Sequence, residues 1–563
     1  MLNVLRLALP LLIIFFAFFA SIVRLGQLQL FMHESLTKKT SRELTRRVHE
    51  QKTRGDIFDR SGRLLATSLE RPSIFILRKD LKIPHQILLD ELKKNLSGIS
   101  IGDIKNRLKK SSNYILVKRD ATKKDARKVR AMDIKGVYIE QRLRRFNPYS
   151  KVAVNIIGSV GTDGEGLFGI EHVLDDLLTS KTQTKIVLKD ALGKAFAQEE
   201  VHMPLKKKRS FSGPLDLYLT IDTNLQSIIE ERLAKVVEEN NAKLGIIVVE
   251  NAQTGEILSM ANIANPKFAS SLKKVDPNYA VSYTFEPGSV LKPMIMAIAL
   301  NTGSITPDSE FFCENGKYRI AKNVTIKDHE PYGMLTVREI LMHSSNICMV
   351  KIAMSTGDNN MFNNLKAFGF GIKTALPVTG EAIGILTAPA HWSAISLSSL
   401  SFGQEIGVTA IQLVNAYAAI ANGGKLIEPR LISKIKSPKQ DKNIFPAEFQ
   451  VIRNVISPSV AGTTLDFMKD VIETGTGINA KIPGRLAAGK TGTAQKYDHE
   501  IKKYSDKTVT VSFCGAVPLP DPKLAICVIV DEPMLSTPAW ASEIAAPLFK
   551  EVAMDAMHFI SFM

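Results

Sequence analysis

Cysteine is scarce in this chain, with four residues in 563, and no two of them form a C-x-x-C pair. That excludes the common zinc and dithiol motifs, whose ligands need close spacing. Cys348, Cys514 and Cys527 lie in apolar runs, where a thiol that stays free is a small core residue, and the sequence says little about their redox state. Zinc-finger spacing and RNA-binding aromatic motifs are also missing, so no nucleic-acid partner, metal or cofactor is expected. No internal repeat is evident. Acidic residues fall short of basic ones, 56 against 73, and the formal charge is +17, with many basic residues in the first 210 positions. Such an excess fits a solvated basic surface as well as an anionic neighbour.

What the chain does have is length and apolar content. At 563 residues and 45% hydrophobic it can bury several cores. "LALPLLIIFFAFFASIV", from Leu7 to Val23, is uncharged between Arg6 and Arg24 and could extend through Leu25, Leu28 and Leu30. It is at the short end for a membrane span. Without an A-x-A cleavage site it reads as an uncleaved anchor rather than a signal peptide. Lys38, Lys39 and Arg42 follow it while only Arg6 precedes it. Counting charges would put the large domain inside the cell, but long domains cross membranes largely regardless of this rule.

Past the anchor, "RGDIFDRSGRLLATS" predicts two short strands around a turn at Asp59 to Gly62. Residues 80 to 145 read as basic helices and strands, and glycines at 158, 161, 164, 166 and 169 suggest tight turns. They do not sit between a strand and a helix as dinucleotide binding requires. "PLKKKRSFSGP", from Pro204 to Pro214, marks the clearest boundary. Beyond it, Asp222 caps a helix carrying Leu225, Ile228, Ile229, Leu233 and Val236. "GIIVVENAQTGEILSMAN" predicts a hairpin, "VTVSFCGAVP" and "KLAICVIVDEP" buried strands, and the C-terminal segment a closing helix. Strands at both ends imply one sheet joining distant segments.

Three short motifs carry the chemistry. In "FEPGSVLKPM", Ser289 stands three positions before Lys292. Ser35/Lys38, Ser270/Lys273, Ser271/Lys274 and Ser433/Lys436 share that spacing, so the pair alone decides nothing. A helix from about Val290 to Asn301, closed by Gly303, places Ser289 at its N-terminus and Lys292 one turn on. Pro293 fits only near a helix start. A helix N-terminus favours an oxyanion, and a lysine serves as base where burial or another cation discourages its ammonium. An ordinary helix cap has the same appearance. In "TVREILMHSSNICMV", Thr336 and Glu339 form a capping box, and Ser344, Ser345 and Asn346 break the helix. "SSN" recurs at Ser111 to Asn113. "RLAAGKTGTAQ" supplies Lys490, Thr491, Gly492 and Thr493. Gly484 to Thr491 also fits a P-loop, which makes an ATPase a rival, yet the flanking sequence predicts a β-hairpin rather than strand, loop and helix.

S-x-x-K, S-x-N and K-T-G in this order resemble the penicillin-recognising serine enzymes. With "RGDIFDRSGRLLA", the Gly158 to Leu178 segment, "LTIDTNLQ" and "FGQEIGVTAIQL", the chain over most of residues 54 to 550 resembles a class B penicillin-binding protein. "FEPGS" with no appended C-terminal repeats looks most like the cell-division, FtsI-type septal branch, with the elongation branch as the alternative.

The resemblance implies an α/β transpeptidase domain, with a five-stranded sheet and an all-helical subdomain. It implies a cytoplasmic tail over 1–6, a transmembrane anchor over 7–30, a non-catalytic α+β pedestal over 31–210 and the transpeptidase over 211–563, outside the cytoplasmic membrane. Ser289 would be the nucleophile and Lys292 its base, with Ser344 shuttling protons and Asn346 holding the acyl donor. Lys490, Thr491, Gly492 and Thr493 would line the substrate, and the N–H groups of Ser289 and Thr493 would form the oxyanion hole. Implied partners are peptidoglycan stem peptides, β-lactam antibiotics, a SEDS-family glycan polymerase and other divisome membrane proteins. Two rivals are a β-lactam sensor, for which no signalling module is evident, and a non-catalytic division scaffold, which intact motifs disfavour.

Overall fold

The computed structural model describes residues 2–32, 45–49, 53–110, 113–179, 184–189, 195–199, 214–271, 277–322, 324–438, 442–446, 448–498, 503–534 and 540–560. The chain divides into two units, Met1–Lys52 with Ser180–Gly213, and Thr53–Thr179 with Pro214–Met563.

In the smaller unit a helix over Leu2–Gly26 continues into a π-helical turn over Gln27–Phe31. Leu12–Leu30 is a 19-residue stretch of mean hydropathy 1.7, long and apolar enough to cross a membrane. At 1.5 Å per residue it spans roughly 28 Å, close to the hydrocarbon thickness of about 30 Å. Its large apolar side chains are exposed, Phe15 and Phe18 among them, so none of the described residues covers them. This unit also holds a three-stranded antiparallel sheet of Thr45–His49, Thr184–Lys189 and Ala195–Glu199. Most of the boundary tract, Pro204 to Gly213, lies outside the described residues.

The larger unit opens with β1 (Ile57–Phe58) and β2 (Leu64–Leu77), which pair antiparallel across the expected turn. There follow α1 (His85–Asn95), α2 (Ile101–Lys109), β3 (Tyr114–Lys118), α3 (Lys123–Met132) and β4 (Val137–Phe146). Ile74, Ile76, Leu88, Leu92, Ile104, Leu108, Ile115 and Val129 form a core between these helices and strands. The glycine-spaced segment serves a buried ion network. Arg54 reaches Glu171 at 2.5 Å, Asp175 at 2.5 Å and Thr179 at 2.8 Å, while Arg145 holds the other oxygen of Glu171 at 2.6 Å.

β5 (Asp216–Leu219) then pairs in parallel with β1. α4 (Thr223–Glu239) starts on the expected cap, with Asp222 Oδ1 accepting from the N–H groups of Asn224 and Leu225 at 3.0 Å. β6 (Leu244–Asn251) and β7 (Ile257–Ala264) form the expected hairpin. The middle of the chain supplies α5 (Lys292–Asn301), β8 (Val324–Lys327), α6 (Val337–His343), α7 (Asn346–Thr356), α8 (Ala410–Ala421), β9 (Ile432–Ser437), β10 (Lys442–Pro446) and α9 (Pro458–Glu473). The chain closes with β11 (Ala488–Asp498), β12 (Lys503–Val517), β13 (Leu524–Asp531) and α10 (Ala545–Phe559).

Two sheets organise the unit. One runs β10-β9-β5-β1-β2-β3, with β4 also on β2. The other is the expected five-stranded sheet joining distant segments, in the order β7-β6-β13-β12-β11. One face of the five-stranded sheet packs on α4 and α10 through Ile247, Val249, Phe513, Ile526 and Val528. The opposite face, with Ile246, Val248, Ala516 and Ile529, belongs to the core shared with α5, α7, α8 and α9. Covered on both faces, the central strands carry continuous apolar runs instead of alternating ones.

The sequence leaves the state of the four cysteines open, and the structure pairs them. Cys313 bonds Cys348 and Cys514 bonds Cys527, with Cα separations of 5.2 and 4.2 Å. Cys514 and Cys527 are direct cross-strand partners on β12 and β13, where antiparallel pairing brings side chains close enough to bond.

Candidate active site

Ser289 is held by backbone contacts on both sides. Phe285 exchanges two hydrogen bonds with Val408, at 3.0 and 2.9 Å, and the Gly288 N–H donates to the Gly403 carbonyl at 3.0 Å. Gly288–Leu291 then forms a 3-10 turn, and the α-helix begins only at Lys292. The expected start at Val290 is thus tightened, with the Lys292 N–H donating to the Ser289 carbonyl. Pro293 lies in the first turn of α5, where its missing N–H costs nothing. The Tyr417 hydroxyl donates to the Val290 carbonyl at 2.7 Å and pins the turn to α8. Ser289 itself is half-buried, and among the described residues its hydroxyl has no hydrogen-bond partner.

Lys292 is fully buried one turn on. Its amine donates to the Ser344 carbonyl at 2.6 Å, to Ser344 Oγ at 3.2 Å and to Asn346 Oδ1 at 2.7 Å. Ser344 presents both acceptors because it ends α6 in a left-handed conformation, φ 61°. The capping box of Thr336 and Glu339 starts that helix as expected. Burial pushes the Lys292 amine down to about 7, against the opposing pull of the Asp328 carboxylate.

The third motif lies along β11, which pairs antiparallel with β12. The P-loop alternative is therefore overturned, since Gly484 to Thr491 runs into a strand and not a helix. β11 packs against the serine turn so closely that side chains must be small. A Cβ added to Gly492 would meet Val290 Cγ1 at 2.8 Å, and one added to Gly288, φ 61°, would meet Ala494 at 3.0 Å. Thr493 stands between Gly492 and Ala494, the two positions of β11 that pack on the serine turn. Lys490 is fully buried, and its amine donates to Thr491 Oγ1 and O at 3.2 Å. Burial drives its proton affinity well down, and the Lys292 charge adds to the effect.

All eight expected residues thus gather at the meeting of the serine turn, the α6–α7 junction and β11. The one decoy pair that is fully described does not join them. Ser433 and Lys436 lie on β9, where residues three apart point to opposite faces. The other three pairs include residues outside the described ones, as does the second "SSN".

Sequence reasoning missed several neighbours. Asp328, at the end of β8, accepts from the Ser345 hydroxyl and the Asn346 N–H, both at 2.6 Å. Thr476 shares a 2.8 Å hydrogen bond with Thr491. His329 meets the Trp540 ring edge-on at 5.3 Å, and the next residue, Ala541, donates its N–H to Thr493 Oγ1 at 3.3 Å. A cap three residues before a glutamate is visible locally, but these partners come from remote segments. Among the described residues no group of three or more His, Cys, Asp or Glu is placed to hold a metal.

A half-buried hydroxyl one turn from a weakly basic buried amine, at the edge of a strand rich in small residues, suits acyl transfer. Residues 245–554 match the model of the penicillin binding protein transpeptidase domain, and residues 49–209 that of the penicillin-binding protein dimerisation domain. The chain belongs to the class B penicillin-binding proteins. Stage V sporulation protein D of Bacillus subtilis is 30% identical to it over 95% of the chain and 82% of that protein. The peptidoglycan D,D-transpeptidase FtsI of Buchnera aphidicola is 32% identical over 94% of the chain and 91% of that protein. In structure the chain is similar to penicillin-binding protein 2X of Streptococcus thermophilus, with TM-score 0.72 and 24% identity, covering 91% of this chain and 80% of that one. The penicillin-binding fold expected from the motifs is therefore the fold of this chain, and it is a transpeptidase.

Proposed function

We propose that this penicillin-binding protein cross-links peptidoglycan stem peptides through an acyl-enzyme on Ser289, during septal wall synthesis. One observation carries the reading. The Lys292 amine lies one turn from Ser289, is fully buried, and is brought to about 7, so it can take a proton near neutral pH. Ser289 Oγ attacks the carbonyl carbon of the penultimate D-alanine, its proton passing to Lys292. The C–N bond to the terminal D-alanine then breaks, and the departing amine leaves with a proton relayed through Ser344. An amine of a neighbouring stem attacks the ester, forms the new amide and frees Ser289. The N–H groups of Ser289 and Thr493 stabilise the oxyanion, while Asn346 orients the acyl donor. Lys490, Thr491 and Thr493 receive the terminal carboxylate.

In this reading residues 1–6 are cytoplasmic, 7–30 span the membrane, 31–210 form a pedestal, and 211–563 act outside it. The two disulfides support the outward orientation, because such bonds persist in oxidising compartments. The similarity to a transpeptidase named FtsI supports the septal reading, in which a SEDS-family polymerase and divisome proteins are the partners.

Incubation with benzylpenicillin followed by intact-mass and peptide-mapping spectra tests the nucleophile. A stable adduct on Ser289 alone is expected, and a label on another serine overturns the assignment. Cross-linked dimers formed from lipid-linked glycan separate an enzyme from a sensor or scaffold. Filamentation on depletion supports the septal role, and rounding assigns elongation instead.

A further inference from the structure

The S-x-N segment opens a helix whose first N–H groups need partners from outside it. α7 begins at Asn346, so Asn346, Ile347 and Cys348 cannot be satisfied within the helix. Two side chains satisfy all three. Ser345 Oγ accepts from the Cys348 N–H at 3.1 Å, and Asp328 Oδ1 accepts from Asn346 at 2.6 Å and Ile347 at 3.1 Å. The Ser345 hydroxyl in turn donates to Asp328 Oδ2 at 2.6 Å. Lys327, the preceding residue, takes the other end of the motif, its carbonyl accepting from Asn346 Nδ2 at 3.3 Å. Asn346 Oδ1 is left facing the Lys292 amine at 2.7 Å. One short stretch at the end of β8 thus grips both the backbone and the amide of Asn346. A carboxylate is also the favoured group at the positive end of a helix.

The same carboxylate matters to the base. The charged groups that reach Lys292 are Asp328 and, from β11, Lys490. Ser344 and Asn346, which accept from the Lys292 amine at the α6–α7 junction, are uncharged. Burial and then Glu330 push the Tyr332 hydroxyl up, with a smaller contribution from Asp328, which His329 and Glu330 follow in sequence. We propose that Asp328 is a positioning residue for acylation, holding the S-x-N turn against Lys292 and supplying the negative charge beside which that buried amine works. This rests on the reading of Lys292 as the base of Ser289.

Two effects separate in one experiment, because hydrogen bonds set the rate at every pH while the charge sets where the rate begins to fall. Removing the charge disfavours the ammonium further, so the base form persists to lower pH. The full chain in detergent is acylated with benzylpenicillin from pH 5.5 to 9.5, and the rate of labelling at Ser289 is followed by mass. Asp328→Asn is expected to move the acid limb down by roughly half a unit or more and to lower the plateau at least about tenfold. Ser345→Ala, which keeps the charge, should lower the plateau and leave the limb in place. An Asp328→Asn limb that coincides with the wild type overturns the proposal, whatever the plateau does. If Asp328→Asn does not fold, Asp328→Glu decides. A limb at the wild-type position with a lowered plateau supports the proposal, and a displaced limb or an unchanged plateau overturns it. Absence of any Ser289 label on the wild type is a different failure, that of the nucleophile assignment.

Discussion

The Lys292 amine donates to Asn346 Oδ1 at 2.7 Å, joining the first and second motifs across 54 positions of chain. In the proposed mechanism, the amide that orients the substrate is therefore already bonded to the group that activates the nucleophile. Lys292 titrates at about 7 in the fold, against 10.5 for an unperturbed lysine, because burial disfavours its charged form. Only the neutral amine accepts a proton. Acylation by benzylpenicillin should rise with pH through about 7 and level off above it. Lys292→Arg, which cannot lose its proton near neutral pH, should slow labelling by about 10²–10⁴-fold. Stopped-flow acylation across pH checks both, and a flat profile between pH 6 and 8 removes Lys292 as the base.

Lys490 has no carboxylate partner among the hydrogen bonds it makes, which go to Thr491. Such a residue is expensive to bury, a cost that accords with the carboxylate-binding role proposed for it. Lys490→Met, close in volume, should cut acylation at least about tenfold by removing a charged hydrogen-bond donor. Its Tm should hold or rise. Unchanged acylation takes Lys490 out of the substrate site, and a collapsed Tm makes it structural.

Glu250 is fully buried on β6, and among the described residues neither of its carboxylate oxygens has a hydrogen-bond partner. Burial raises its proton affinity well above the ordinary 4.5. The folded state therefore holds a proton that the unfolded chain releases above about pH 4.5, and stability contributed by that proton is lost as pH rises. The slope approaches about 1.4 kcal/mol per pH unit. Glu250→Gln cannot titrate, so its stability should gain on the wild type between pH 5.5 and 7.5. Parallel denaturation curves at the two pH values would refute this.

Both disulfides sit beside the motifs. Cys348 lies two residues past Asn346 on α7, and Cys514 is the cross-strand partner of Lys490. Non-reducing peptide maps should yield the pairs Cys313/Cys348 and Cys514/Cys527. Closing a loop with a sequence separation of 35 stabilises by roughly 3–4 kcal/mol in the chain-entropy model. Cys313→Ser should therefore lower Tm measurably. Alkylation of the native, unreduced protein at Cys313 or Cys348 would contradict the pairing.

The chemistry was legible where it is written locally. S-x-x-K needs one helical turn and S-x-N a break between two helices, and "GKTGTA" announces a strand that packs tightly. Asp328 carries no such mark, because its link to Ser345 is made only when β8 meets α7. Thr476 and Trp540 reach the site by the same kind of remote contact. The state of the cysteines was not legible for a related reason, since separations of 35 and 13 have no local signature. β2 runs through Pro72, which sits opposite Gln141 of β4, where proline argues against a long strand. The order of the larger sheet, which brings residues 57, 217 and 435 together, follows from tertiary packing alone.

That larger sheet bears on how the protein can be cut. β5 hydrogen-bonds to β1 along one edge and to β9 along the other, and Asp59 accepts from the Thr223 hydroxyl at 2.6 Å at the head of α4. A recombinant piece beginning at residue 214 would strip β5 of one neighbour and leave an open strand edge available to other chains. It would also remove the acid that braces the start of α4. A soluble preparation for crystallography or inhibitor screening is better begun upstream of Arg54, with the basic N-terminal lobe retained.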